Sequence, residues 1–291
     1  MTRYRVSHTT IYDYGEPVTV SHNILHLAPA STPRQRLESF VLDITPIPAV
    51  QHQRADYFGN RLDCFTVQDQ HTRLIVRAVS VLEVEPAFAL DARITGAWEG
   101  VRDHLHRPQG DDEVQSSEFR YASPMVPTGP EYADYAAESF SPGRALLDAA
   151  LDLVHRINRD FIYDPKATAV TTTVPEVFAT RRGVCQDFAH FGIACLRSLG
   201  LASRYVSGYL ETQPPPGQPR LVGVDASHAW MSLWCPGIGW IGLDPTNDCL
   251  ASDRHLIVAV GRDFTDISPT KGVILGGGTH DVSAIVDVAR L

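Results

Sequence analysis

A chain of 291 residues is long enough for roughly two domains, and with 44% hydrophobic against 20% charged residues it has ample material for a globular core. Its 25 basic and 34 acidic residues leave a formal net charge of −9. That balance excludes nucleic acid as a general partner, because phosphate binding needs clustered Lys and Arg.

The N-terminus, MTRYRVSHTTIYDY, alternates and has no apolar secretory segment. No stretch approaches the roughly 18 apolar residues of a membrane span. The expected location is therefore cytoplasmic, with no membrane partner. Residues 1–88 read as strands. Tyr4, Val6, His8, Thr10 and Tyr12 alternate, as do Phe40, Leu42 and Ile44 before Pro46. Phe58-Gly59-Asn60 is a turn signal, and a β-branched run follows from Leu74 to Val84. Period-two segments broken by Gly, Pro and Asn predict an N-terminal antiparallel β-sandwich domain. Its histidines, His8, His22 and His26, are scattered and suggest no chemistry.

Residues 89–140 are polar and rich in Gly and Pro, and read as a connecting region with a short helix. The third unit, 141–291, opens with Ser141-Pro142 as the expected cap and first turn of a helix. Leu146, Ala150, Leu153, Val154, Ile157 and Phe161 share one face of it. Thr173-Val174-Pro175-Glu176 predicts a second helix start. A third helix spans Cys185 to Leu199, with Gly200 at the position of a terminating glycine. The period then returns to two. Strands are predicted at Ser203–Glu211, His228–Trp234, Trp240–Leu243, Leu256–Val260 and Ser283–Ala289. The Pro-rich stretch 213–219 reads as an exposed loop. Gly276-Gly277-Gly278 has no following Lys-Ser/Thr, so it is not a phosphate loop.

The five cysteines, an odd number in a chain with no visible leader, read as reduced thiols. Cys195, within a helix and followed by Leu196, reads as core. Cys185 differs. It follows Gly183-Val184 at a helix N-terminus, where unpaired N–H groups and a partial positive charge favour a thiolate. Gly183 permits a tight turn there, and the Cys185 amide offers half of an oxyanion hole. A nucleophilic thiol needs an imidazole, and the imidazole needs an acceptor on its far nitrogen. Two strands flanking Cys235-Pro236-Gly237 supply both. If Trp234 pairs with Ile238, His228 lies opposite Asp244 on one face of the hairpin.

The run RRGVCQDFAHFGIACLRSLGLASRYVSGYL, followed by DASHAWMSLWCPGIGWIGLDPTN, resembles the core of the transglutaminase-like superfamily over roughly Ala145 to Asn247. YRVSHTTIYDY, PVTVSHNILHLAP and DYFGN are similar to the β-rich N-terminal region of bacterial transglutaminase-like proteins. The resemblance implies an α+β fold: a papain-like, transglutaminase-like core behind the β-sandwich, its cysteine helix packed on an antiparallel sheet. It also implies roles: Cys185 as nucleophile, His228 as base and acid, Asp244 as orienting carboxylate. A cysteine acyl transferase or amide hydrolase acting on a protein or peptide substrate follows. The thioester on Cys185 is resolved by water or by an amine; the alternative is a catalytically silent binding scaffold. No cofactor is expected. No CxxC pair or Asp-x-Asp-x-Asp-Gly loop points to zinc or calcium, and Asp187 with His190 make a weak metal candidate. Trp230, Trp234 and Trp240 are expected around the site. A second oxyanion donor is not evident, Tyr163 being one candidate.

Overall fold

The computed structural model describes residues 1–86, 91–212 and 227–291. The expected loop 213–219, and Asp225-Ala226 before His228, lie outside the described residues. The first third forms β1 (Thr2–Leu25), β2 (Gln35–Thr45), β3 (Val50–Ala55), β4 (Arg61–Val67) and β5 (His71–Val84). Three helices follow: α1 (Trp98–Leu105), α2 (Asp111–Ser117) and α3 (Pro130–Ala137). Next come α4 (Leu146–Asp160), β6 (Ile162–Tyr163), α5 (Val174–Thr180), β7 (Arg182–Gly183) and α6 (Cys185–Ser198). The remainder is strand: β8 (Ser203–Leu210), β9 (Ser227–Cys235), β10 (Gly239–Asp244), β11 (Cys249–Leu250), β12 (His255–Gly261), β13 (Thr270–Gly276) and β14 (His280–Arg290).

The expected sandwich is one antiparallel sheet that curls about β1, in the order β2-β5-β1-β4-β3. The first half of β1 pairs with β5 and β14, the second with β4 and β13. Register breaks between Asp13 and Val18, across a segment that contains Gly15 and Pro17. Pro17 has no N–H for the ladder, so the strand can bend there. One side of the curl encloses Val18, Leu25, Phe65, Val67, Leu74 and Val76. Further along the same face of β5, Leu82 joins Tyr4, Val6 and Val288 in the main core of the molecule.

Two expectations change here. The last strands, assigned to the unit 141–291, pair with β1 instead: Val6 faces Val288 and His8 faces Val286. Alternation marks a strand but not its partner, which depends on register. The region 89–140 is no mere connector either, since its helices bury Trp98, Val101, Leu105, Phe119, Tyr132 and Tyr135 in the main core.

The core sheet is antiparallel, in the order β11-β10-β9-β8-β12. Helix α6 packs on one face of it, with Gly192 passing over Met231. Helix α4 starts at Leu146, not at Ser141-Pro142. Its first amides are satisfied from elsewhere in the chain: Leu146 N donates to Gly96 O (2.8 Å) and Leu147 N to Thr95 Oγ1 (3.2 Å). A cap supplied through tertiary contact leaves no local sequence signal. Helix α5 does start as predicted, with Thr173 and Glu176 in a capping box. Gly200, at φ +81°, ends α6 as expected. Among the described residues no helix is long and apolar enough to cross a membrane.

Gly208 lies where β8 and β12 slip register, between Ile257 and Ala259. A Cβ there would strike the Leu256 carbonyl and lie 2.6 Å from the Trp230 ring. Gly208→Ala is expected to destabilise the fold by about 1–3 kcal/mol. Urea unfolding checks this; an unchanged midpoint would contradict the packing described.

Candidate functional site

Cys185 is the first residue of α6 and is partly exposed. The residue before it, Val184, has no side-chain acceptor, so the helix is capped in reverse: Asp187 Oδ2 accepts from Val184 N at 2.8 Å. The same oxygen accepts from Thr168 Oγ1 at 2.7 Å, which ties the loop before α5 to the cysteine turn. Gly183 has its reason here. A Cβ at that position would lie 2.7 Å from Asp187 Oδ2 and 2.8 Å from its Cβ. The glycine makes room for the capping carboxylate.

His228 sits on β9 with its side chain 10% exposed, and Asp244 ends β10 with none. His228 Nε2 donates to Asp244 Oδ2 at 2.7 Å. Cys185 lies close enough to the same ring to help raise its pKa. With Nε2 committed to the carboxylate, Nδ1 is the nitrogen left for sulfur. The structure joins His228 to Asp244, though not through the register first counted. Trp234 pairs with Trp240, not Ile238, because the three-residue turn is Pro236-Gly237-Ile238, one residue later than expected, closed by Cys235 facing Gly239. A slip of two preserves the face. Asp244 reaches His228 diagonally rather than from directly opposite.

Asp244 holds the centre of the site. Oδ1 accepts from the backbone N–H of Thr246 (3.0 Å) and Asn247 (3.2 Å). Oδ2 accepts from His228, from Asn247 Nδ2 (2.7 Å) and from His255 Nε2 (3.1 Å). The loop carrying these donors is pinned by α4, where Asn158 Nδ2 donates to Pro245 O and Thr246 O. Burial alone would push the Asp244 carboxyl upward, but the bonds from His228 and His255 and the adjacent imidazolium hold it well below the usual carboxylate range. Burial likewise works against a charged His228. The bond to Asp244 and the contact with Cys185 outweigh it and raise the ring to about 10.

His255 and Asn247 were not singled out from the sequence. His255 is 2% exposed, and its Nδ1 accepts from Ser252 N at 3.0 Å. That bond fixes the proton on Nε2, so the ring donates to Asp244. His228, Asp244 and His255 lie close enough together to suggest a metal cluster. The tautomer argues otherwise, because a protonated Nε2 has no lone pair to give. Nor do Asp187 and His190 act together: Asp187 caps α6, while His190 Nε2 accepts from Phe264 N at 3.2 Å. Burial lowers His190 to about 4 and keeps it neutral.

Of the three tryptophans only Trp230 touches the cluster. It stacks near His228, with ring centroids 5.9 Å apart, and presents an edge to His255 at 5.2 Å. Trp234 stacks on His104 instead, and Trp240 lies under Arg204. Tyr163 pairs with Gly183 across β6 and β7. Partial burial and the nearby Cys185 raise its phenol above the ordinary value, so it keeps its proton.

The family model of the bacterial transglutaminase-like N-terminal region matches residues 4–83, and that of the transglutaminase-like superfamily matches 133–245. An uncharacterized protein of Mycobacterium tuberculosis is 40% identical over 294 residues, covering 99% of this chain and 91% of the relative. A protein-glutamine gamma-glutamyltransferase of Pseudomonas aeruginosa is 31% identical over 115 residues, 39% of this chain but 17% of that protein. A crystal structure from Cytophaga hutchinsonii, provisionally described as a cysteine protease, superposes with a TM-score of 0.79 at 19% identity, covering 100% of this chain and 91% of that one.

Two outcomes follow from the electrostatics. In Asp244→Asn the burial of His228 is no longer offset, so its ring should titrate several units lower; histidine NMR reads this, and an unmoved titration would contradict the pairing. Because Asp244 is depressed, its contribution to stability is present above the ordinary carboxylate range and is lost as pH falls. His255→Phe removes one donor and raises the Asp244 carboxyl, so acid unfolding should begin at higher pH, with about 1–3 kcal/mol lost at neutral pH. Urea titrations from pH 3 to 7 measure both; an unchanged acid limb would contradict it.

Proposed function

The chain belongs to the transglutaminase-like superfamily, and we propose that it is a cysteine enzyme that takes an acyl group from an amide of a peptide or protein. The observation that supports this reading most is the His228–Asp244 hydrogen bond beside the Cys185 helix start, with Cys185 among the groups that raise the His228 pKa. Cys185 Sγ gives its proton to His228 Nδ1 and attacks the carbonyl carbon. The oxyanion forms beside the Cys185 amide, which makes no intrahelical bond at the first position of α6. His228 then passes its proton to the leaving nitrogen, the C–N bond breaks, and a thioester remains.

A ring held near 10 suits that step. Having taken the thiol proton, the ring keeps it as an imidazolium until the amine departs. Asp244 orients it and balances its charge. In the second half, water attacks the thioester, gives a proton to His228, and the C–S bond breaks as sulfur recovers its proton. The sum is amide plus water to acid plus amine. Replacing water by a primary amine gives transfer instead, a reading favoured by the likeness of the core segment to the Pseudomonas aeruginosa glutamyltransferase. We take water as the acceptor, since no residue marks a dedicated amine site.

Incubation with a glutamine-containing peptide, with and without a labelled primary amine, tests both halves. Mass spectrometry should trap an acyl adduct on Cys185, with ammonia released faster than amine is incorporated. Cys185→Ala should abolish the adduct, and His228→Ala should slow turnover about 10²- to 10⁴-fold. Faster amine incorporation would overturn hydrolysis. Absence of any Cys185-dependent adduct across glutamine and peptide-bond substrates would leave the scaffold reading in its place.

A further inference from the structure

Successive residues of β9 point to opposite faces of the core sheet. Met231 meets α6, while Trp230 and Ser232 face away from it. On that second face a cavity of about 400 Å³ lies between the core sheet and the Thr32–Gln35 turn of the curled sheet. Gln35 bridges the two: its Nε2 donates to Ile257 O (2.7 Å), and its Oε1 accepts from Ile257 N (2.9 Å). Arg34 and Arg204 both line the cavity, with Thr32, Ser232 and Ser252 supplying hydroxyls. Among the described lining residues there is no Asp or Glu.

Arg204 is the anomaly. Its Nε is buried with no hydrogen-bond partner, and among the described residues its guanidinium has no ion pair and no hydrogen bond. Its one defined contact is the Trp240 ring, 4.2 Å from Cζ. Burial draws its pKa down to about 9, yet it remains a cation at neutral pH. Buried charges are ordinarily paired, because desolvation without a partner costs several kcal/mol. The fully buried arginines follow that rule, whereas Arg204 is half-buried with its Nε enclosed. Arg197 donates to Ser203 O and Arg262 O, and Arg156 to Tyr135 O and Ser139 Oγ. Arg204 also borders a neighbouring cavity of about 580 Å³, but Asp112 and Glu118 line that one and disfavour an anion there.

We propose that the cavity lined by Arg34 and Arg204 binds a small organic anion, whose carboxylate or phosphate pairs with the Arg204 guanidinium while its apolar part lies along Trp240 and Ile257. The planar guanidinium offers two parallel N–H donors to such a group, and the aromatic ring beneath fixes its plane. His255 and Trp230, which both touch the Asp244 cluster, also line the cavity, so the site borders that cluster, while Cys185, His228 and Asp244 themselves are not among its lining residues.

Thermal unfolding of the full chain with benzoate, phenyl phosphate and inorganic phosphate, each at millimolar concentration, tests this. The two organic anions should raise the melting temperature in a saturable way, and the stronger of them identifies the headgroup. Arg204→Met should lose that rise and, relieved of a half-buried charge whose Nε has no partner, should melt no lower than wild type without ligand. Arg204→Lys should bind at least tenfold more weakly by equilibrium dialysis, which reads the site even if the Met variant folds poorly. No saturable rise with any of the three anions in the wild type, or a rise that Arg204→Met retains, would overturn the assignment.

Discussion

A carboxylate with no exposed surface, holding five hydrogen bonds, is the fixed point of this molecule. Asp244 can remain charged in the interior only because two backbone amides, one side-chain amide and two imidazoles converge on it. The donors come from three pieces of the fold. β9 brings His228, the turn after β10 brings Thr246 and Asn247, and the start of β12 brings His255. α4 then locks the turn through Asn158. The core sheet and the helix behind it are thus organised around one buried charge, and the orientation of the His228 ring follows from it.

The cysteine is fixed by a separate device. Asp187 reaches back to Val184 and across to Thr168, and Gly183 leaves the space for it to do so. Sulfur and imidazole therefore meet because two independently capped elements, α6 and β9, are packed together, with Gly192 over Met231 setting how closely the helix approaches the sheet. Trp230 fills the space beneath both rings of the Asp244 cluster. The proposed chemistry asks little more of the fold than to keep these parts from moving apart.

Much of this was legible in the sequence. Period-two and period-3.6 patterns located most strands and the α4 and α6 helices, Thr173 and Glu176 marked a cap, and the position of Cys185 at a helix start singled it out. What was not legible depends on contacts between distant segments. The start of α4 is capped by Thr95 and Gly96, some fifty residues earlier, so Ser141-Pro142 misled. The last two strands carry ordinary alternation, and only register with β1 shows that they close the first sheet. His255 stands eleven residues beyond Asp244 with no spacing to mark it, and Arg204 looked like any strand arginine until its buried Nε proved to have no hydrogen-bond partner. The hairpin count reached the right pair by a wrong register, because a slip of two residues preserves the face.

The most direct measurement is the rate at which iodoacetamide alkylates Cys185 in four proteins: wild type, His228→Ala, Asp244→Asn and the double variant. If the carboxylate acts on sulfur only through the ring, each single change should slow alkylation at neutral pH. Asp244→Asn should then add nothing in the His228→Ala background. Equal rates in all four, or effects that simply multiply, would mean that the three side chains lie side by side without working as one unit.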